Sequence, residues 1–191
     1  MICPKTPDAI TLYLAGPNGT GKTTFYSTAV DQGFIPGELP FVNIDLIAKN
    51  ELGGYSNENF KRAEELYRAR VGAFISEKKD FMIESNLAYQ SDYDWLHAML
   101  RQGFEAILYF LYTERIEINI GRVQKRVKEG GHDVAVAIIQ QRYQNGLLYL
   151  KSQLHLFSEA YLIDNSFKEP FQMAVIQKGD IIFNITIALD G

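Results

Sequence analysis

The sequence predicts an α/β protein: an open, mostly parallel sheet with helices on both faces and a helical lid, plus a C-terminal β-hairpin. Three observations predict it. Short β-rich apolar runs alternate with helix-period segments along most of the chain. A glycine-rich segment joins the first such run to the first helix, and the tail changes to two strand-like runs about a tight turn.

In chain order, the parallel strands are expected at 11–15, 41–44, 81–83, 106–111 and 161–163. The first helix is expected over 21–31, with Gly33 suited to its C-terminal end. A long helix is expected over 57–79, because Phe60, Ala63, Tyr67, Val71 and Phe74 fall on one face, with Ser56 or Asn57 as its cap. Further helices are expected at 91–102, 114–129 and 133–150, the last with Asp133 as an N-cap candidate. The runs 171–176 and 181–187 flank Gln177-Lys178-Gly179-Asp180 and read as a hairpin over 170–188. No internal repeat or Pro/Gly/Ser-rich linker divides the chain, so residues 1–191 are expected to form one domain. Ligands of such a sheet bind beyond the C-terminal ends of its strands, which is where candidate sites belong.

The chain has 191 residues, 47% hydrophobic and 22% charged, which fits a packed core and excludes disorder and fibrous repeats. A net charge of −4 argues against nucleic-acid binding through a global basic surface, so cations for phosphate must be local. The single cysteine, Cys3, can form neither an intramolecular disulfide nor a cysteine zinc site, which suits a cytoplasmic protein. No apolar run reaches the ~18 residues of a membrane span, and the apolar stretch 9–15 has no basic leader.

Gly16-Pro17-Asn18-Gly19-Thr20-Gly21-Lys22-Thr23 matches G-x-x-x-x-G-K-[ST] between a strand and a helix, as a phosphate-binding loop requires. This makes the expected sheet a P-loop NTPase-type sheet. The glycines let backbone N–H groups converge on phosphate oxygens, and the helix N-terminus adds positive potential. Lys22 is expected at the β- and γ-phosphates, Thr23 on Mg²⁺, and Thr24 on the α-phosphate side. A chance glycine-rich turn is the competing reading, and the strand-to-helix context disfavours it.

No guanine-reading Asn-Lys-x-Asp is present, and Phe81-Met82-Ile83-Glu84 has only one of the two carboxylates expected of a motor ATPase strand. The small-kinase branch remains. Such an enzyme needs a carboxylate beside the acceptor hydroxyl, cations for the transferred phosphoryl group and a means of excluding water. Asp45, at the end of the second strand, is the candidate base; a helix-capping role is the alternative. Glu84, at the end of the third, is expected to face the same crevice, with Ser85 and Asn86 as substrate contacts; a simple pair with Lys22 is the alternative.

Arg115, Asn119, Arg122 and Arg126 recur at helical spacing beside the apolar seam Ile116, Ile120, Val123 and Val127. With Gly130-Gly131 behind them they read as a lid over 114–133 that brings guanidiniums to the triphosphate. An ordinary solvated helix is the alternative. His132 is expected to be structural, Arg142 is a candidate for phosphate or substrate, and Tyr89 and Trp95 are expected in the core more than at an acceptor pocket.

These blocks together resemble the zeta-toxin family of phosphate-loop kinases, in particular compact stand-alone bacterial members. The match runs from the phosphate loop through Phe41-Val42-Asn43-Ile44-Asp45, Glu84-Ser85-Asn86, Arg122-Val123, Arg126-Val127 and Gly130-Gly131-His132-Asp133-Val134 to Arg142-Tyr143 and Asp164-Asn165-Ser166. The resemblance implies ATP or GTP as donor with Mg²⁺, Asp45 as base, Glu84 facing the substrate, and Arg122 and Arg126 acting on the phosphoryl group. It also implies UDP-N-acetylglucosamine as an acceptor and an antitoxin protein as partner. The family's Glu-Thr-Thr is here Glu84-Ser85-Asn86, and the proline after His-Asp-Val is Ala135, so hydrogen-bonding groups differ where substrate should sit. The alternative from another class is a regulatory or interaction protein that senses ATP without phosphoryl transfer.

Overall fold

The computed structural model describes residues 7–184. Cys3 and residues 185–188 of the expected hairpin lie outside them. The chain runs β1 (Ala9–Ala15), α1 (Lys22–Asp31), β2 (Phe41–Val42), α2 (Ile44–Asn50), α3 (Asn57–Ser76), β3 (Phe81–Ser85) and α4 (Gln90–Arg101). It continues with β4 (Phe104–Tyr112), α5 (Ile116–Lys128), α6 (Val136–Gln153), a 3-10 turn at Leu154–Leu156, β5 (Glu159–Asp164), β6 (Phe171–Gln177) and β7 (Asp180–Asn184).

The strands form one seven-stranded sheet in the order β2-β3-β1-β4-β5-β6-β7. β1 lies parallel between β3 and β4, with Ala15 level with Ser85 on one side and with Phe110 on the other. The C-terminal ends of β1, β2 and β3 therefore come together, as ligand binding in an open parallel sheet requires. The hairpin forms and extends this sheet, because β6 pairs antiparallel with β5. Gln177 is level with Asp180, which leaves a two-residue turn. Lys178 and Gly179 both take positive φ, 50° and 89°, as the tightest hairpin turn demands.

Successive strand residues feed opposite faces. Tyr13 joins a core of Phe81, Tyr93, Leu96, Phe104 and Phe157, whereas Leu14 joins Ala29, Ile35, Met82 and Leu111. Each fully buried Leu or Phe contributes roughly 1.5–3 kcal/mol relative to exposure. The expected seam of the lid helix also packs: Ile116, Ile120, Val123 and Val127 meet Val134 and Ile139.

Three boundaries differ from expectation for local reasons. The strand expected over 41–44 stops at Val42, because the Asn43 side chain accepts the Leu46 N–H at 3.0 Å and starts α2. The helix expected to reach 79 ends at Ser76, and Lys78 leaves helical geometry with φ 53°. Asp133 does not cap α6; the helix starts at Val136 behind Ala135, and its end has no side-chain cap.

Candidate active site

The phosphate loop closes on itself and on its neighbours. Gly16 and Gly19 take φ 132° and 82°, and a Cβ at either would enter backbone space, that of Leu111 for Gly16 and of Asn119 for Gly19. The buried Thr20 hydroxyl donates to the Pro17 carbonyl at 2.9 Å, and the Asn165 amide donates to the Thr20 carbonyl at 2.5 Å. Asn119 of α5 donates to the Asn18 carbonyl at 2.7 Å, and its own Oδ1 accepts the Thr113 hydroxyl. Pro17 and Gly21 complete the turn into α1.

Lys22 starts α1 and is almost fully buried. Its Nζ donates to the Gly16 carbonyl at 2.6 Å, the Pro17 carbonyl at 3.2 Å and Asn86 Oδ1 at 3.4 Å, and pairs with Glu84 Oε1 at 3.5 Å. Burial pushes its ammonium pKa down, against Glu84 and Asp45, which push it up. Thr23 and Thr24 are exposed on the first turn of α1, and the Thr23 hydroxyl lies 3.5 Å from Glu84 Oε2.

Glu84 is the penultimate residue of β3. Burial raises its pKa, against the opposing pull of Lys22. Asn43 donates its amide to Glu84 Oε2 while its Oδ1 caps α2, so one side chain sets both the helix start and the carboxylate. Asn43 carried no site signal of its own in sequence, where it fell within the strand expected over 41–44. Asp45 is thereby left free of capping. Burial alone would raise its pKa, but the hydrogen bond and charge of His132, then Arg126 and Lys22, hold it below the ordinary 3.8. His132 Nδ1 lies 3.3 Å from Asp45 Oδ1, and Arg126 Nη1 lies 3.9 Å from Asp45 Oδ2.

Asp45, Glu84 and His132 face a cleft of about 550 Å³, within the size range of small-molecule sites. Asn18, Asn43, Asp45, Glu84, Asn86 and Arg142 give it a polar wall, and Phe60, Tyr67, Tyr89 and Trp95 an aromatic one. Tyr89 is thus at the cleft and not simply core, and Trp95 both packs on the core and lines the cleft. Arg142 donates to Asn18 Oδ1 at 2.9 Å and to the Tyr89 hydroxyl at 3.3 Å. Its guanidinium sits 5.7 Å from the Tyr89 ring centroid. Ser85 lines the cleft and accepts the Leu87 N–H at 3.0 Å.

The expected row of the lid helix divides. Arg126 reaches Asp45, but Asn119 turns inward and is fully buried, and Arg115 sits before α5 beside Glu114 on the surface. Neither Arg122 nor Arg126 lines the cleft, and Arg122 Nη1 and Arg126 Nε are buried without hydrogen-bond partners. Among the described residues no cluster of three or more His, Cys, Asp or Glu could hold a metal, and no helix is long and apolar enough to cross a membrane.

No protein-family model matches the chain. Two solved structures share its fold: the AvrRxo1-ORF1:-ORF2 complex with ATP, at TM-score 0.67 and 16% identity over 93% of this chain, and the PezAT toxin-antitoxin system of Streptococcus pneumoniae, at TM-score 0.60 and 17% identity over 94%. This chain spans 60% of the matched AvrRxo1 chain and 72% of the matched PezAT chain. At such identities the likeness shows the fold alone, an open, mostly parallel α/β sheet. An uncharacterized protein of Haemophilus influenzae is 30% identical over 136 residues, 69% of this chain and 91% of the relative. The chain therefore belongs to the same family as that Haemophilus protein, on an open α/β sheet with a phosphate loop after β1.

Proposed function

We propose that this chain is an ATP-dependent small-molecule kinase that transfers the γ-phosphoryl group to a hydroxyl, with a UDP-amino sugar such as UDP-N-acetylglucosamine as the acceptor. One observation carries the reading: a single cleft joins Asn18 of the phosphate loop, Asp45 from the first turn of α2, Glu84 from the end of β3, with Lys22 paired behind it, and Arg142 beside an aromatic wall. Residues 1–191 act as one kinase unit, with 114–133 as its lid.

The loop 16–21, Lys22, Thr23 and Thr24 bind the triphosphate through converging N–H groups, an ammonium and hydroxyls. The donor set suits Mg²⁺, since the Thr23 hydroxyl and the Glu84 carboxylate are neighbouring hard oxygens, and Mg²⁺ takes few protein ligands beside phosphate. Bound there, the ion would neutralise charge shared between the β- and γ-phosphates. Lys22 leaves the loop carbonyls for phosphate oxygens when nucleotide arrives. Asp45, kept ionised by its cationic neighbours, orients the acceptor hydroxyl and takes its proton as the new O–P bond forms and the bond from the γ-phosphorus to the β,γ-bridging oxygen breaks, releasing ADP. Arg122 and Arg126 stabilise the transferring group. Glu84, Ser85, Asn86 and Arg142 hold the acceptor, and the aromatic wall excludes water. A toxin-antitoxin system among the structures of like fold supports a protein antitoxin as partner.

A panel of UDP-sugars, nucleosides and sugar acids, assayed for ADP release and for a new phosphomonoester by phosphorus NMR, tests the proposal. Transfer to a UDP-amino sugar is the expected result. Transfer to another hydroxyl compound rejects the acceptor, and ATP binding with no transfer across the panel rejects the kinase in favour of an ATP sensor.

A further inference from the structure

We propose that His132 is the positioning residue for Asp45: its ring N–H holds the carboxylate in one orientation, and its main chain ties that carboxylate to Arg126 of the lid helix. This inference rests on the reading of Asp45 as the acceptor-side carboxylate. His132 Nδ1 lies 3.3 Å from Asp45 Oδ1. An ionised carboxylate only accepts, so a neutral His132 must carry its proton on Nδ1. The ring is held from two other elements. Tyr55 stacks on it at 5.6 Å and 21°, and Phe60 packs at 4.2 Å and 41°.

The second half of the link is backbone. The His132 carbonyl accepts Arg126 Nη2 at 2.8 Å, and the Gly131 N–H donates to the Arg126 carbonyl at 2.9 Å. A Cβ at Gly131 would strike the Arg126 side chain, so only glycine lets the segment lie this close. Arg126 Nη1 then closes the circuit on Asp45 at 3.9 Å. Movement of the lid helix thus reaches the carboxylate through one residue. The other titratable or charged groups facing this pair are Tyr55, Lys22 and Glu84, with Asp133 next in the chain.

Nitrogen-15 NMR of the imidazoles of the full chain tests the pairing without any substrate. The chain has three histidines, and His132→Gln identifies the signal. The expected result is an Nδ1–H tautomer for the neutral ring, because the Asp45 carboxylate can only accept, and an Nδ1 signal that changes in Asp45→Asn. An Nε2–H tautomer, or an Nδ1 signal unchanged by Asp45→Asn, overturns the proposal. Kinetics test the consequence. His132→Phe keeps the stacking but not the donor, and His132→Asn keeps a donor near the Nδ1 position. We expect His132→Phe to lower kcat about 10–100-fold, the usual effect of losing a group that orients a working side chain. The KM for ATP stays unchanged, the acid limb of the kcat profile moves to higher pH, and His132→Asn recovers most of the rate. Wild-type kcat with an unmoved acid limb in His132→Phe overturns the proposal. Absence of transfer by the wild type overturns the kinase reading instead, and the tautomer then decides the His132–Asp45 pairing alone.

Discussion

Lys22 of the phosphate loop and Glu84 of β3 form an ion pair, Nζ to Oε1 at 3.5 Å, with side chains 5% and 18% exposed. Burial works against both charges, lowering the lysine pKa and raising that of the glutamate, so each depends on the other to stay ionised. A bound triphosphate competes with Glu84 for the same ammonium.

Lys22→Met should expose that dependence. Glu84 has a folded pKa above its ordinary 4.5, so its contribution to stability is present below 4.5 and lost as pH rises through the folded value. The variant removes the cation that lowers this value, which moves it further up and enlarges the loss. Calorimetry from pH 4.5 to 7 is expected to show the variant's Tm falling progressively relative to wild type, together with loss of the ATP-induced rise. A constant difference would mean that the pair does not set Glu84's ionisation.

Asp45→Asn separates binding from transfer. Nucleotide affinity by calorimetric titration should stay near the wild-type value, while turnover drops by about 10²–10⁴-fold, the range for a positioned proton-transfer group. Asp45 has a folded pKa below 3.8, so any stability it supplies is constant above 3.8 and lost as pH falls through the folded value. Tm curves of wild type and variant should therefore converge as pH falls below 4. Wild-type turnover in the variant would remove Asp45 from the chemistry.

Arg126 and Lys125 are neighbours in α5 with different surroundings. Arg126 meets Asp45 and the His132 carbonyl, whereas Lys125 is 78% exposed beside Glu129. Arg126→Ala should slow transfer by up to about 10³-fold, as loss of a charge-stabilising arginine does elsewhere, and Lys125→Ala should be close to neutral. Equal initial rates for the two variants would sink the lid model.

Gly19 and Gly33 have nearly the same backbone, φ 82° and 74°, yet a Cβ at Gly19 meets the Asn119 backbone and one at Gly33 meets nothing within 4 Å. Gly33→Ala should cost only the left-handed strain, about 1–2 kcal/mol. Gly19→Ala adds a steric clash that separates the phosphate loop from α5, so it should cost more and abolish ATP binding. Denaturant titrations of the two variants, paired with an ATP-binding assay, distinguish strain from collision.

Much of this architecture is written in neighbouring residues. The alternation of apolar runs with helix-period segments located the strands and the helices, because side-chain periodicity reports which face is buried. The hairpin turn was legible from Lys178-Gly179, whose positive φ values suit that turn. Asn43 was not legible as a site residue, since capping and the hydrogen bond to Glu84 come from different ends of one side chain, and only the first is local. Asn119 misled for a related reason. Its spacing put it in a row with arginines, but the close approach of Gly19 turned that helix face toward the loop.

His132 shows where local reasoning ends. A histidine after two glycines has no regular element to aim it, and its partner Asp45 lies 87 residues away. Residues whose work is done within a few positions, the phosphate loop above all, could be identified from order and spacing, since backbone geometry there follows from glycine placement and one strand-to-helix turn. The joining of Asp45, Glu84, His132, Arg126 and Arg142 was decided by the sheet order and the lid packing. Those depend on burying two faces at once, and no short stretch of chain contains that constraint.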